Sequence, residues 1–165
     1  MHNLMSAPTS DQVRAALGRF PTGVTIVTAR AADGAPVGLT VNSFNSVSLQ
    51  PPLVLWSLAL RSRARAVFER AEHHVIHVLS TAQQALAERF ARRDVERWSG
   101  VTWTPNSEAV PLLPDCVAVF ECRRRSAYVE GDHVIFVAEV LRCRYDASVA
   151  PLLYHGGRFY TEHPL

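Results

Sequence analysis

Lysine is missing from this sequence of 165 residues, because all 17 basic side chains are arginines. Its absence excludes Schiff-base chemistry on a lysine and the lysine of a phosphate-binding P-loop. The three cysteines, Cys116, Cys122 and Cys143, form no CxxC pair, which argues against a disulfide framework or a zinc knuckle. Neither a GxSxG nucleophile elbow nor a GxGxxG dinucleotide fingerprint occurs, which excludes α/β-hydrolase and Rossmann functions.

Long apolar runs and signal-like segments are also missing. No uninterrupted apolar stretch approaches the roughly 20 residues of a membrane span, so no membrane partner is expected. The first ten residues have neither a basic n-region nor an apolar h-region, so no secretory signal is expected and the expected location is the cytoplasm. A net charge of +2 is too small to imply nucleic acid as a partner.

The composition that is present fits one compact domain. Hydrophobic residues make up 48% of the chain and charged residues 19%, which is too apolar for disorder. Single hydrophobic cores commonly serve chains of this length. We therefore predict a flexible N-terminus over residues 1–10 and a single domain over residues 11–165.

Short strands dominate the predicted secondary structure. Asp33-Gly34 and Gly131-Asp132 are turn pairs between alternating apolar segments and predict two hairpins. The apolar run 51–60 predicts a strand that is buried on both sides. The pattern as a whole favours a β-barrel of the α+β type. The predicted helices cover residues 11–20, 62–71 and 82–93, and the predicted strands cover 23–31, 36–44, 51–60, 73–80, 116–130 and 133–146.

Hydroxyl and amide side chains cluster at the end of the second predicted strand. Such residues compete for backbone hydrogen bonds, so their clustering needs a reason. Two interpretations fit the pattern: a rim of donors and acceptors facing a flat polar heterocycle, or a plain strand end with Asx and Ser turns. The run contains Thr40, Val41, Asn42, Ser43, Asn45, Ser46 and Ser48.

Alternating arginines follow the apolar strand where the chain enters the second predicted helix. The segment is Arg61-Ser62-Arg63-Ala64-Arg65, in which Ser62 is the candidate N-cap. Unpaired N–H groups at a helix start, together with guanidinium groups, favour an anion such as a phosphate. The alternative is a capped helix with a solvated basic face.

Histidines and the C-terminal tail carry the remaining candidates. His133 follows the Gly131-Asp132 turn, where it can meet a ligand carboxamide or only cap the turn. The tail 151–160 can line a cleft or pack as a last strand. His73 and His77 share one strand face without an accompanying carboxylate, so no metal site is predicted.

Four segments together form a pattern that no single motif provides. They are ALGRFPTGVTIVTA at 16–29, PVGLTVNSFNSVSLQPPLVLWSL at 36–58, GDHVIFVAEV at 131–140 and PLLYHGGRFY at 151–160. In this order and spacing they resemble the flavin reductase-like family with the FMN-binding split-barrel fold. Members of this family are short-chain NAD(P)H:flavin oxidoreductases that supply reduced flavin to two-component monooxygenases.

The resemblance implies a mainly β (α+β) fold: a six-stranded antiparallel split β-barrel with short flanking helices. It also implies a homodimer with FMN or FAD bound near the subunit interface and NADH or NADPH as the electron donor. The family often has asparagine where His77 stands. By position, the resemblance assigns Thr40, Val41, Asn42, Ser43, Ser46 and Ser48 to the flavin, Ser62 and Arg63 to its phosphate, and His133 and Tyr160 to the nicotinamide side.

The activity implied by the resemblance is hydride transfer from the nicotinamide to FMN or FAD, with delivery of reduced flavin to a partner flavin-dependent monooxygenase. This chemistry needs no protein nucleophile, which agrees with the missing motifs. His133 is the candidate catalytic residue, with the role of positioning the nicotinamide. Two alternatives remain: a flavoprotein that reduces another acceptor directly, and a flavin-binding module without turnover.

Overall fold

The structure, a computed structural model, describes residues 7–165. Residues 1–6 of the expected flexible N-terminus lie outside the described residues, whereas Thr9 and Ser10 already belong to the first helix and its cap. Within the described part, no helix is both long enough and apolar enough to cross a membrane.

Antiparallel strands make up most of the fold, and the three α-helices have eight residues or fewer. A short 3-10 turn precedes the third helix. In chain order the elements are α1 (Ser10–Leu17), β1 (Thr22–Gly23), β2 (Thr25–Arg30), β3 (Pro36–Val41), β4 (Asn45–Leu49), β5 (Pro52–Ala59), α2 (Arg65–Arg70), β6 (His73–Val78), α3 (Gln84–Ala91), β7 (Thr104–Pro105), β8 (Pro111–Leu112), β9 (Ala118–Glu130), β10 (His133–Tyr145), β11 (Leu153–His155) and β12 (Arg158–Tyr160).

The main sheet has seven strands, where the resemblance implied six. Their order is β3-β2-β6-β9-β10-β5-β4, and β11 and β12 form a separate small sheet with β1. Within this sheet, the strand that the sequence patterns did not predict is β4, which pairs with β5 from Asn45–Leu55 to Leu49–Pro52. Its serine-rich sequence suggested a polar rim, but backbone pairing along β5 makes it the edge strand.

Both predicted hairpin turns are confirmed. Gly34 has a φ of +88° in the turn between β2 and β3, and Gly131 has a φ of +59° in the turn between β9 and β10. These left-handed conformations are accessible to glycine without a steric cost, which explains its place in both turns. The second turn joins two strands of 13 residues each and sets the position of His133.

The strand β2 is fully buried along most of its length. Its residues Thr25 to Ala29 are all buried, and both threonine hydroxyls are satisfied. Thr25 Oγ1 donates to Val41 O at 2.9 Å, and Thr28 Oγ1 donates to Pro111 O at 2.7 Å. In contrast, β5 is not buried on both sides as predicted, because Val54, Trp56 and Leu58 are buried while the alternating positions are only half-buried.

Aromatic rings fix the helix α2 against the sheet. The Trp56 ring stacks on Phe136 with centroids 4.8 Å apart and meets the Phe68 ring edge-on at 4.9 Å. Phe68 belongs to α2, whereas Trp56 and Phe136 belong to β5 and β10. This buried cluster therefore holds in place the turn that joins β5 to α2.

The helix α1 stands outside the core. A capping box starts it: Gln12 N donates to Thr9 Oγ1 at 3.2 Å and Thr9 N donates to Gln12 Oε1 at 2.8 Å. The predicted apolar stripe buries little surface, since the exposed fractions of Val13, Leu17 and Phe20 are 43%, 68% and 73%.

Candidate functional site

One serine side chain links β3, at one end of the main sheet, to β5, the strand next to the other end. Ser43 lies just after β3, and its Oγ accepts a hydrogen bond from Ser57 N at 2.9 Å and donates one to Ser57 O at 3.2 Å. A hydroxyl thus replaces the backbone ladder between β3 and β5. We call this place the seam and define it as residues 39–43 and 57–59.

Replacing the bridging hydroxyl tests whether it holds the seam. We expect Ser43→Ala to lower the free energy of unfolding by about 1–2 kcal/mol, because the half-buried Ser57 N–H and C=O lose their partner. Denaturant titration measures this change. Ser46→Ala, a change at an exposed serine of β4, is the control and should stay within about 0.5 kcal/mol of the wild type. Equal effects of the two substitutions would contradict this role of Ser43.

A pocket of about 550 Å³ opens at the seam. Beyond the last ladder pair, Val41–Thr25, the backbone groups of Asn42 and Ser43 are free of sheet pairing. Asn42 and Ser43 line the pocket, and their backbone N–H and C=O groups are not used by the ladder. Its lining residues are Leu39, Thr40, Val41, Asn42, Ser43, Ser57, Leu58, Ala59, Arg61, Ser62, Arg63, Ala64, Phe90, Ala91, Arg93, Val95, Arg97 and His133.

The Thr40 and Ser43 hydroxyls mainly serve the fold. Thr40 Oγ1 donates to Ala87 O at 2.6 Å and ties β3 to α3, and the Ser43 hydroxyl is engaged at the seam. Each hydroxyl has one proton to donate, and in both residues that proton is already used. Towards a ligand these hydroxyls can act only as acceptors, so donors would have to come from the backbone and the exposed Asn42 side chain.

The turn from β5 to α2 forms the basic side of the pocket. Ser62 Oγ accepts from Ala64 N at 3.3 Å, and α2 begins only at Arg65 with Ala64 as its N-cap. The prediction that Ser62 is the N-cap was therefore wrong, because the serine forms a local turn two residues earlier. Arg61 and Arg63 are exposed and line the pocket on either side of Ser62.

His133 lines the pocket from the β9–β10 turn. Its Nδ1 lies 2.6 Å from Asp132 Oδ1, and this hydrogen bond lowers the pKa of the aspartate. Asp132 O accepts from Leu60 N at 2.9 Å, which anchors the turn to the end of β5. With Nδ1 directed to the carboxylate, Nε2 is the ring nitrogen left for a ligand.

The family of the chain follows from a comparison with family models. The model described as "Flavin reductase like domain" matches residues 17–163, nearly the whole chain. The chain belongs to the flavin reductase like family.

Named relatives include an FMN reductase and the reductase subunit of a monooxygenase. The FMN reductase (NADH) SmoA of Agrobacterium fabrum is 49% identical over 150 residues, which are 91% of this chain and 84% of the relative. The reductase subunit HsaB of a flavin-dependent monooxygenase from Rhodococcus jostii is 36% identical over 92% of this chain and 77% of its own length. Two further relatives, at 41% and 40% identity, are longer, and the chain spans 56% and 48% of their length.

A solved structure agrees with the fold. The NADH:FAD oxidoreductase SgcE6 of Streptomyces globisporus, in complex with NAD and FAD fragments, superposes with a TM-score of 0.87 at 36% identity. The match covers 93% of both chains.

This flavin reductase like domain brings most of the predicted site residues together, but not all. Ser46 and Ser48 lie on the edge strand β4, and Tyr160 lies on β12 with 48% of its surface exposed. None of these three lines the pocket, so their roles stay predictions. The residues that do line it are Thr40, Val41, Asn42, Ser43, Ser62, Arg63 and His133.

The sequence patterns missed the wall that α3 and its following loop contribute. Arg97 donates to Gly38 O at 2.9 Å through Nη1 and to Arg92 O at 2.6 Å through Nη2, so it binds the loop to β3. Burial, followed by the positive charge of Arg93, lowers the pKa of Arg97. The Arg92-Arg93 pair was the available signal, but nothing local places it beside residues 39–43.

Proposed function

We propose that this protein is an NAD(P)H-dependent flavin reductase. It transfers hydride from NADH or NADPH to FMN or FAD and delivers the reduced flavin to a partner flavin-dependent monooxygenase. The observation that carries the proposal is the pocket at the seam, which gathers Asn42, His133 and four arginines. The family and the NADH-dependent FMN reductase among the relatives support the same activity.

The pocket fits a flavin nucleotide in size and chemistry. Its volume of about 550 Å³ lies within the range of ligand pockets. Leu39, Leu58 and Phe90 offer apolar surface to a planar ring, and Asn42 offers donors and an acceptor to a polar edge. Among the described residues, no carboxylate side chain lines the pocket, so its arginines favour a ligand with phosphate groups.

The protein's own contribution is to bind and orient two ring systems. A bound flavin supplies the hydride-accepting ring, so no protein nucleophile is required. The backbone N–H groups near Asn42 and Ser43 would donate to the pyrimidine edge, where negative charge accumulates on reduction. Ser62 and Arg63 would hold the phosphate, and His133, oriented by Asp132, would present Nε2 to the nicotinamide carboxamide.

The proposal extends to assembly and location. A homodimer with a split-barrel fold is part of it. Val13 and Leu17 on α1, with Phe20 just after the helix, offer exposed apolar surface of the kind that subunit interfaces bury. Ser46, Ser48 and Tyr160 would meet flavin or nicotinamide where the subunits join. Residues 11–165 would act as one domain in the cytoplasm.

Stopped-flow reduction of FMN and FAD by NADH and by NADPH, with protein stripped of flavin, tests the activity. We expect nicotinamide oxidation that depends on added flavin. Oxidation by another acceptor without flavin would instead support direct reduction of that acceptor. Flavin binding without any oxidation would support a binding module without turnover.

A variant at His133 tests the proposed nicotinamide contact. We expect His133→Ala to lower kcat/KM for NADH about tenfold, the value of one hydrogen bond of about 1.4 kcal/mol, and to leave the Kd for flavin unchanged. His163→Ala, at an exposed histidine outside the pocket, serves as the control. Unchanged NADH kinetics in His133→Ala would contradict the assigned role.

A further inference from the structure

Guanidinium groups line the pocket on two different sides. Arg61 and Arg63 follow β5, and we call them the β5 side. Arg93 and Arg97 come from the segment after α3, and we call them the α3 side. In the sheet order, β3 and β5 lie near opposite ends of the main sheet. Arg97 contacts β3, and Arg61 and Arg63 follow β5, so the two sides approach the seam from opposite directions.

The α3 side carries positive charge without a carboxylate partner. Among the described residues, neither Arg93 nor Arg97 forms an ion pair, whereas the adjacent Arg92 pairs with Asp94 at 2.9 Å. On the β5 side, Arg61 and Arg63 form no ion pair among the described residues either. However, His133 and, after it, the charge of Arg61 lower the pKa of Asp132, so this carboxylate partly offsets Arg61. Two neighbouring positive charges without compensation destabilise the unliganded protein. An anionic ligand would therefore be attracted by both arginines and would relieve their mutual repulsion.

The two arginines of the α3 side differ in what they do for the fold. Arg97 is fixed by its hydrogen bonds to Gly38 O and Arg92 O, which place its guanidinium at the pocket wall. Arg93 is exposed and, among the described residues, makes no hydrogen bond, so folding does not explain its position at the pocket.

We propose that the α3 side is a second anion-binding subsite, in which Arg93 and Arg97 bind the second phosphate of a dinucleotide. The inference rests on the proposed function, in which Ser62 and Arg63 of the β5 side bind the first phosphate. A ligand with a single phosphate group leaves one of the two sides without a partner. A pyrophosphate, from FAD or from the nicotinamide dinucleotide, supplies negative charge to both.

The test compares Arg93→Gln with Arg92→Gln, since both remove one exposed charge from neighbouring positions. Flavin-stripped protein is titrated with riboflavin, FMN and FAD by flavin fluorescence, and the KM for NADH is measured with FMN as acceptor. We expect Arg93→Gln to raise either the Kd for FAD or the KM for NADH about tenfold, as loss of one charge-assisted hydrogen bond predicts. The Kd values for riboflavin and FMN should not change, and Arg92→Gln should resemble the wild type.

The outcome identifies the source of the pyrophosphate. A higher Kd for FAD alone assigns the subsite to the flavin, and a higher KM for NADH alone assigns it to the nicotinamide dinucleotide. An equal loss of FMN and FAD affinity would overturn the proposal, because Arg93 would then bind the phosphate that FMN and FAD share. Unchanged constants in Arg93→Gln would overturn it as well. Failure of the proposed function is distinct, since wild-type protein would then neither bind riboflavin nor oxidise NADH with any flavin.

Discussion

Acidification from pH 7 to pH 5 is expected to lower the free energy of unfolding by about 2 kcal/mol for each of two buried histidines. His74 and His77 are 0% exposed, and burial lowers the pKa of each from 6.5 to about 4. Because the folded pKa lies below the unfolded value, the unfolded chain binds more protons in this range. Stabilisation is therefore complete above pH 6.5 and is lost as the pH falls towards 4.

His77 has the more fully defined hydrogen bonds of the two. Leu113 N donates to His77 Nε2 at 3.1 Å, so Nε2 is unprotonated and Nδ1 carries the proton that it donates to Ile26 O at 3.0 Å. Protonation at Nε2 would place two N–H donors against each other. The neutral ring thus links β2, β6 and the segment that follows β8.

Denaturant titrations at several pH values measure the effect, and His77→Asn isolates one histidine. Asparagine keeps a donor for Ile26 O and does not titrate, so about half of the pH dependence between 7 and 5 should disappear. His73→Asn, at a half-buried histidine on the same strand, is the control and should keep the full slope. An unchanged slope in His77→Asn would exclude His77 as a source of the acid sensitivity.

Adding a side chain at Gly38 is expected to cost about 2–3 kcal/mol of stability and to weaken ligand binding at the α3 side of the pocket. A Cβ atom at Gly38 would lie 2.9 Å from Phe90 Cε1 and 3.0 Å from Trp98 Cζ2. Neither ring can move freely, since Phe90 is fully buried and packs edge-on against Trp98 with centroids 5.0 Å apart. In Gly38→Val, α3 and the loop that carries Arg97 must therefore shift away from β3.

Gly23→Ala is the control for a side chain added without a clash, because Gly23 also lies in a strand but a Cβ atom added there would have no neighbouring atom within 4 Å. Its stability should change by less than about 1 kcal/mol. Denaturant titration gives the stability, and the effect on the α3 side is measured by the Kd for FAD, from flavin fluorescence, together with the KM for NADH. Normal stability of Gly38→Val would mean that α3 accommodates the side chain, contrary to the close packing of Phe90 and Trp98 on β3.

Local signals predicted most of the strands and the turns between them. The glycine turn pairs gave both hairpins, and the β-branched run at 23–31 gave β2, because these signals act within a few residues. The edge strand β4 was missed since its serines suit a turn as well as a strand. Its pairing with β5 decides the matter, and that pairing is not visible in the residues of β4 alone.

The segments that form the candidate site were predictable, but the contacts that bring them together were not. The runs at 40–43 and 61–63 and the turn histidine were each recognisable, and the fold brings them to one pocket. The Ser43–Ser57 link and the approach of Arg97 to Gly38 join residues that are 14 and 59 positions apart. Contacts of this kind depend on how the sheet curves, which residue spacing does not encode.

The bridging serine has a consequence for exchange of the nucleotide between turnovers. Separating β3 from β5 at this point requires the loss of two hydrogen bonds, about 1 kcal/mol each, whereas unfolding a typical domain requires about 5–15 kcal/mol. Local opening beside the pocket is therefore far more frequent than global unfolding, and the remaining ladders stay intact while it happens. An enzyme that hands its reduced product to another protein gains from such an exit, because release then needs no rearrangement of the core.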